Sequence, residues 1–320
     1  MTRTRKRYFF FPLILLLLIA AGFAYKKRDS ITWRFKMYTG RDITSWSVRL
    51  DDSIKETSGL LWWNGLLWTM KDHSEPKLYA LDPRSGKVVR WIRILNSNNF
   101  DWEDLAQDDK YFYIGDFGDN SALPRVRERT IFMVPKEKLA QTSDSIMADT
   151  LRFTFEGWYN DRQLEENNTN FDCEAMIAYG DSLYLFTKQW RDEKTTVYAL
   201  PKKPGRAVAR RKYVYNIGAL LTGANYMPEK NLLLFTGYHT DMRTYLTPFV
   251  YLVTGFNGDD FFSGSMKKVY LGKPFHQVES VATPDGKTFY FTSEALSKKG
   301  IGLPAMLMRA DLTPYLPPGN

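Results

Sequence analysis

The feature that most constrains the fold of this chain is a repeated unit of roughly fifty residues. Each unit opens with a short segment in which a polar or acidic residue precedes apolar ones, and a tight turn follows. The five openings begin at Thr57, Trp102, Cys173, Leu221 and Val278, and their second residues lie 45, 71, 48 and 57 positions apart. Such a period is typical of folds in which every unit buries its apolar face against its neighbours.

The segments between the turns have the composition of β-strands. Asn64-Gly65 and Asp285-Gly286 favour the positive φ angles that tight hairpins need, and the aromatic and aliphatic runs that follow favour strands. Second strands are predicted at 66–70, 111–115, 183–187, 232–236 and 288–292, and third strands at 78–81, 131–134, 197–200, 250–253 and 306–308. Fourth strands are predicted at 88–95, 151–155, 211–215 and 267–271, so the last unit lacks one.

A candidate for the missing strand lies before the first unit. Residues 46–50 are strand-like and have no unit of their own. As the outer strand of the last unit they would close a ring, which removes an exposed sheet edge. The sequence therefore predicts an all-β fold, a five-bladed β-propeller closed by an N-terminal strand and preceded by one hydrophobic helix. A six-bladed ring and a pair of β-sandwiches are the alternatives.

The N-terminus carries an uncharged apolar segment, residues 8–25, between two groups of cations. At ~1.5 Å per residue a helix of this length approaches the ~30 Å thickness of the hydrocarbon core. We expect a signal anchor or signal peptide at 1–29, a linker at 30–45 and the propeller domain at 46–320. The protein is then extracytoplasmic, with residues 8–25 as its membrane contact in the bacterial inner membrane. The alternative is a secreted or periplasmic protein, after cleavage near Ala24.

Charge and cysteine content narrow the class of function. The net charge of +8 comes from 44 basic and 36 acidic side chains. Without the cations that flank residues 8–25, the two signs nearly balance, so no cationic footprint for nucleic acid is expected. The single Cys excludes an intramolecular disulfide framework.

Carboxylates recur at the start of the first strand of each unit. In a propeller these strands line the central channel, and residues two apart share one face of a strand. The pairs are Glu56/Ser58, Asp101/Glu103, Asp172/Glu174, Leu220/Thr222 and Gln277/Glu279. A ring of carboxylates suits the oxygen preference of calcium, and Glu103, Glu174 and Glu279 are the predicted metal ligands. A polar network that only joins the blades and an acid/base pair without metal are the alternatives.

The ends of the second strands lie beside these starts and extend the predicted site. The predicted contacts of an unknown small molecule or protein at the channel mouth are Glu56, Asp72, Asp101, Asp116, Asp172, Lys188, Tyr238 and Glu294. All three histidines fall on the same rim. His73, His239 and His276, with Glu174, are the candidates for a catalytic acid or base, and whether the protein is an enzyme stays open.

Two further residues in these segments, Cys173 and Trp190, are compatible with a packing role. Cys173 lies between Asp172 and Glu174 in the sequence, so it is expected to face away from the channel and pack in the blade. Trp190 follows a second strand near the rim, where it either fills space or stacks on a ligand.

Two adjacent motifs carry a resemblance. They are Asp101-Trp102-Glu103-Asp104-Leu105-Ala106 and Tyr113-Ile114-Gly115-Asp116-Phe117-Gly118-Asp119-Asn120. With them the chain resembles, over about residues 50–313, a group of uncharacterised bacterial propeller proteins. More distantly it is similar to the gluconolactonase and paraoxonase type of propeller and to the esterase-like phytase propellers.

This resemblance implies a channel calcium, which would map to Glu103, Glu174 and Glu279. The apolar N-terminal segment and the acidic channel favour an extracytoplasmic, membrane-tethered protein that binds a ligand or partner over the mouth of its channel. The alternative is a calcium-dependent hydrolase of esters, lactones or phosphoesters.

Overall fold

The computed structural model describes residues 42–119, 128–142, 144–158, 166–239, 247–298 and 301–317. More than half of these residues lie in strands, and they include one six-residue helix, α1 (Lys136–Gln141). Short 3-10 turns lie at Asp52–Ile54, Pro228–Lys230 and Thr313–Tyr315. The predicted all-β class is confirmed.

Strands follow one another in antiparallel groups, as the repeat predicts. After β1 (Thr44–Arg49), the first group is β2 (Thr57–Trp63), β3 (Leu66–Lys71), β4 (Lys77–Leu81) and β5 (Val88–Ile94). The second group contains β6 (Trp102–Gln107), β7 (Tyr111–Asp116), β8 (Arg129–Pro135) and β10 (Asp149–Phe155), and β9 (Ser145–Ile146) precedes its last strand. The third group is β11 (Cys173–Tyr179), β12 (Ser182–Thr187), β13 (Thr195–Pro201) and β14 (Gly205–Tyr215).

The last two groups follow the same order. The fourth is β15 (Leu220–Met227), β16 (Leu232–His239), β17 (Thr247–Thr254) and β18 (Ser265–Tyr270). The fifth is β19 (Val278–Ala282), β20 (Thr288–Ser293) and β23 (Met306–Asp311), with the hairpin β21 (Leu296–Lys298) and β22 (Ile301–Leu303) between its last two strands. Strand β1 completes this group by pairing antiparallel with β23, as the sequence predicted.

The first strands of the groups meet one another. Strand β2 contacts β6, β6 contacts β11, β11 contacts β15, β15 contacts β19, and β19 returns to β2. The fold is therefore propeller-like, with these five inner strands around a common axis. Large apolar side chains fill the space between neighbouring groups, as where Phe112 meets Trp63 and Trp68 with ring centroids 5.4 and 5.8 Å away.

Two parallel pairings join the outer edges of the first three groups. Strand β9 pairs with β5, and β10 pairs with β14, so the second and third groups form one eight-stranded sheet. These pairings cover edge strands that would otherwise expose unpaired backbone groups. The repeat did not predict them, because they join neighbouring units and do not recur in every unit.

Every inner strand bulges at the same point. The residue left out of the register is Gly59, Glu103, Glu174, Thr222 or Glu279. A bulge inserts one residue and re-aims its side chain. In the first group this residue is Gly59, whereas the sequence comparison of the units had placed Ser58 at the equivalent position. Gly59 has φ +63°, and a Cβ there would lie 2.8 Å from the Leu105 nitrogen, so only glycine fits.

None of the helices in the described part of the chain has the length and apolar character needed to cross a bilayer. Residues 1–41 contain the predicted anchor, the cleavage site near Ala24 and most of the predicted linker, and they lie outside the described residues.

Candidate functional site

Eight of the predicted residues lie near one another where the inner strands begin and the second strands end, at the position predicted for the mouth of a channel. The Lys188 backbone N–H donates to the Asp172 carbonyl at 2.7 Å, and the Glu294 N–H donates to the Gln277 carbonyl at 3.0 Å. We call the side chains gathered here the channel mouth. They are Asp72, Glu103, Asp172, Glu174, Lys188, Tyr238, Glu279 and Glu294.

Three carboxylates of the channel mouth come close enough to share one cation. Glu103, Asp172 and Glu174 each offer an oxygen within 4.8 Å of the others, and all three residues are buried. Calcium binds oxygen at ~2.3–2.6 Å, so two oxygens across one ion are up to about 5 Å apart. The spacing and the donor type therefore fit calcium. Asp172 occupies the third position of this group, in place of the predicted Glu279.

Lys188 already contacts one of these carboxylates. Its Nζ lies 2.6 Å from both carboxylate oxygens of Glu174. The ammonium also lies over two aromatic rings, 4.6 Å from the Trp190 centroid and 5.1 Å from that of Tyr238. Lys188 was predicted to contact a ligand, but here it is a buried partner of Glu174.

Asp172 is fixed by donors on both of its oxygens. Trp190 donates from Nε1 to Oδ2 at 2.7 Å, and the Asp119 N–H donates to Oδ1 at 2.8 Å. Asp119 pairs in turn with Arg129 at 2.6 Å. Trp190 is thus a positioning residue for a carboxylate, a role that its sequence position alone did not reveal.

Glu279 contrasts with this arrangement. It is only 4% exposed, and its Oε1 has no hydrogen-bond partner among the described residues. Its neighbour Glu294 accepts a hydrogen bond from Gln277 Nε2 at 3.0 Å. Burying a carboxylate oxygen without a donor is costly, so this oxygen marks a place where a cation or donor would be stabilised.

The electrostatics of the channel mouth reflect crowded negative charge. Burial and repulsion between the carboxylates raise the pKa of Glu103, Glu279 and Glu294. Burial also raises the pKa of Glu174, although the nearby Lys188 opposes it. For Lys188 itself, burial is the largest influence and acts to lower the pKa, but the charges of Glu174, Tyr238, Glu279 and Asp172 together outweigh it and keep the pKa well above its usual range.

The three histidines, which were predicted to share one rim, have different neighbours in the described part of the chain. His73 lies beside Asp72, with Nδ1 2.7 Å from Oδ1, and Glu56 is 3.6 Å from its Nε2. His239 packs 5.3 Å from the Phe249 ring and 3.2 Å from Lys268 Nζ. His276 has its Nδ1 3.2 Å from the Pro274 carbonyl. His73 is thus paired with two of the predicted ligand-binding carboxylates, Asp72 and Glu56.

Asp101 immediately precedes β6, and Asp116 is the last residue of β7. Asp116 Oδ1 accepts the Asp101 N–H at 3.0 Å, and Asp116 also lines a cavity of about 680 Å³ with Phe100 and Arg152. In the turn that follows β7, a Cβ on Gly118 would overlap Glu103 Oε1 and the Asp101 carboxylate. Glycine at this position therefore leaves room for the Glu103 side chain, which the motif alone did not indicate.

Asp104 is a buried carboxylate that sequence reasoning did not single out. Its Oδ2 accepts the N–H groups of Met176 at 2.7 Å and Ala224 at 3.1 Å, and its Oδ1 accepts the Leu105 N–H at 2.8 Å. It thus joins β6, β11 and β15. Burial raises its pKa and these three donors oppose the increase. The sequence feature that could have identified Asp104 is its position. It is an acid directly after the bulged residue, where the other units have Leu60, Ala175, Gly223 or Ser280.

Cys173 lies in the apolar core with Met176 and Phe186, and its Sγ is 3.5 Å from the Phe186 carbonyl oxygen. Burial raises the pKa of this thiol well above its usual value. It therefore packs between strands, as the sequence predicted, and lacks the features of a reactive thiol.

Neither a protein-family model nor a curated protein sequence matches the chain. Among solved structures, it is similar to an exo-β-1,3-galactanase from Phanerochaete chrysosporium, with 9% identity and a TM-score of 0.47 over 83% of this chain and 64% of that one. It is also similar to a hypothetical protein from Leishmania major, with 10% identity and a TM-score of 0.44 over 88% and 94% of the two chains.

A chain in a mitotic checkpoint complex structure matches with 14% identity and a TM-score of 0.36, over 80% of this chain and 61% of that one. The chain spans less than two thirds of the length of the galactanase and of this checkpoint chain. At such identities and TM-scores the similarities transfer no activity, ligand or partner.

Proposed function

We propose that the channel mouth binds a divalent cation, calcium by its donor chemistry, and that the cation helps to hold a ligand or partner there. Glu103, Asp172 and Glu174 would be its carboxylate ligands. The observation that carries this proposal is the buried Oε1 of Glu279, which has no donor among the described residues and lies beside these groups.

The balance of charge supports the same proposal. Six carboxylates of the channel mouth surround one buried ammonium, that of Lys188. Burial and the repulsion between these carboxylates raise the pKa of Glu103 and Glu174, which expresses the cost of holding this negative charge without a further cation. Zinc is less suited, because it prefers nitrogen or sulfur ligands and the histidines are dispersed.

Calorimetric titration of the full chain in detergent micelles with calcium tests this proposal. We expect saturable binding in wild type and at least tenfold weaker binding in Glu103→Gln, which keeps the shape but removes the charge. Asp108→Asn is the control, since this partly buried carboxylate pairs with Lys202 at 2.9 Å beyond the opposite end of β6. Absence of calcium binding in wild type would refute the proposal.

The second candidate is the calcium-dependent hydrolase. Its support is that Glu103 and Glu174 belong to the proposed cation site and that burial raises the pKa of both carboxyls. A protonated buried carboxyl is a suitable general acid. Because His239 and His276 lie elsewhere, a histidine base would have to be His73. A panel of aryl esters, lactones and phosphoesters tests it: turnover lost in Glu174→Gln supports hydrolysis, and no turnover in wild type rejects it.

We further infer that the ring has five blades. The support is the closed series of contacts from β2 through β6, β11, β15 and β19 back to β2, together with the pairing of β1 with β23.

For the whole chain we propose an extracytoplasmic protein tethered through residues 8–25, or released after cleavage near Ala24. The sequence alone supports this. N-terminal sequencing of the protein from its native cells tests it, because a chain that begins at Tyr25 is cleaved and an intact start is an anchor.

A further inference from the structure

Lys188 and the proposed cation require the same carboxylate. Both Glu174 oxygens lie 2.6 Å from Lys188 Nζ, and Glu174 is one of the three carboxylates that come within 4.8 Å of one another. A calcium ion on either Glu174 oxygen would lie within about 5 Å of that ammonium. In a buried site, two cations at this distance repel strongly, since little water screens them.

We propose that Lys188 is a built-in competitor of the divalent cation: its ammonium holds Glu174 in the ion-free protein and leaves Glu174 when the cation binds. This inference rests on the proposed cation site. It makes Lys188 the residue that sets how strongly the site discriminates, because only an ion of higher charge gains enough from three carboxylates to displace a bound ammonium.

The channel mouth contains a second position for the displaced ammonium. Glu279 is buried, its Oε1 has no hydrogen-bond partner among the described residues, and the charge of Lys188 acts on it. The faces of Trp190 and Tyr238 lie 4.6 and 5.1 Å from Nζ and stabilise its positive charge. Lys188 would therefore move from Glu174 to Glu279, which accounts for a buried carboxylate oxygen without a hydrogen-bond partner in the described part of the chain.

Terbium is a suitable probe, since it resembles calcium in its ligands and its emission is sensitised by a nearby indole such as that of Trp190. The experiment titrates terbium into the full chain in micelles, for wild type and Lys188→Met. We expect at least tenfold tighter binding in Lys188→Met. Lys268→Met is the matched control, because Lys268 is half-buried and, like Lys188, lies over two rings, those of Phe249 at 4.4 Å and Tyr251 at 4.8 Å. Its affinity should equal that of wild type.

If wild type binds terbium and Lys188→Met binds it equally or more weakly, the inference about Lys188 is overturned, but the proposed cation site is not. Failure of both proteins to bind would overturn the cation site itself. If Lys188→Met does not fold, Lys188→Arg decides: a guanidinium keeps both oxygens of Glu174, so terbium should bind more weakly than to wild type, and unchanged affinity would contradict competition.

A double-mutant cycle tests the second position of the ammonium. Glu279→Gln should weaken terbium binding in the wild-type background and have a smaller effect in the Lys188→Met background. Equal effects in both backgrounds would show that Glu279 does not receive Lys188.

Discussion

Asp104 and Glu279 are both buried carboxylates on inner strands, but their surroundings are opposite. Asp104 is 1% exposed and accepts three backbone N–H groups from three strands, whereas Glu279 is 4% exposed and has one oxygen without a donor in the described part of the chain. The bulge explains the difference. Glu279 is the bulged residue of β19, and Asp104 follows the bulged residue of β6. Asp104 faces the neighbouring strands, whereas Glu279 belongs to the channel mouth.

This comparison separates carboxylates that hold the ring together from those available to a ligand. A buried charge that accepts several N–H groups is compensated within the fold. A buried charge without donors is retained at a cost to stability. Substitutions that remove each charge should therefore change stability in opposite directions.

The largest effect is expected at Asp104. Asp104→Asn keeps the shape but replaces a charged acceptor with an amide that cannot accept at both positions. Either the Leu105 N–H or both the Met176 and Ala224 N–H groups then lose their acceptor. We expect the free energy of unfolding to fall by about 3 kcal/mol. Urea unfolding followed by circular dichroism measures it. A change under about 0.5 kcal/mol would mean that Asp104 does not join the strands.

A smaller effect, on the site alone, is expected at Gly118. The Cβ of Gly118→Ala would overlap Glu103 Oε1, so Glu103 must move and calcium should bind roughly tenfold more weakly, about 1.4 kcal/mol. Gly302→Ala is the control, because a Cβ there meets nothing within 4 Å. Calorimetry compares the two variants, and equal calcium affinity in both would show that the turn does not position Glu103.

The smallest effect is expected at Glu279. Its pKa is raised in the folded state, chiefly by burial, so the folded protein binds more protons than the unfolded chain. The stabilisation that comes from binding this proton is fully present below the ordinary pKa of Glu. It is lost as the pH rises through the raised pKa of Glu279 in the folded protein. Without calcium, stability should therefore decrease as pH rises from about 4.5, and Glu279→Gln should decrease less steeply. If the stability of Glu279→Gln decreased more steeply with pH than that of wild type, another group would compensate the Glu279 charge.

The sequence predicted the repeat, the strand order and the return of β1 to the last group, because turn chemistry and alternation are local signals. It also predicted that Glu103, Glu174 and Lys188 lie in the channel, since the spacing brings the same strand position together in each unit. The bulges, the pairing of β10 with β14, and the contact of Lys188 with Glu174 depend on register between strands. The immediate neighbours of the histidines could not be predicted for a related reason: strand position indicates at which end of a strand a histidine lies, and not the side on which its ring packs.

The central claim is that the channel mouth holds a divalent cation. The most direct measurement is the calcium content of the full-length protein after dialysis against calcium and removal of free ion, by elemental mass spectrometry, for wild type and Glu103→Gln. The account predicts one calcium ion per wild-type chain and a large loss in Glu103→Gln. Wild-type protein that retains no calcium, or a variant that retains as much as wild type, would contradict it.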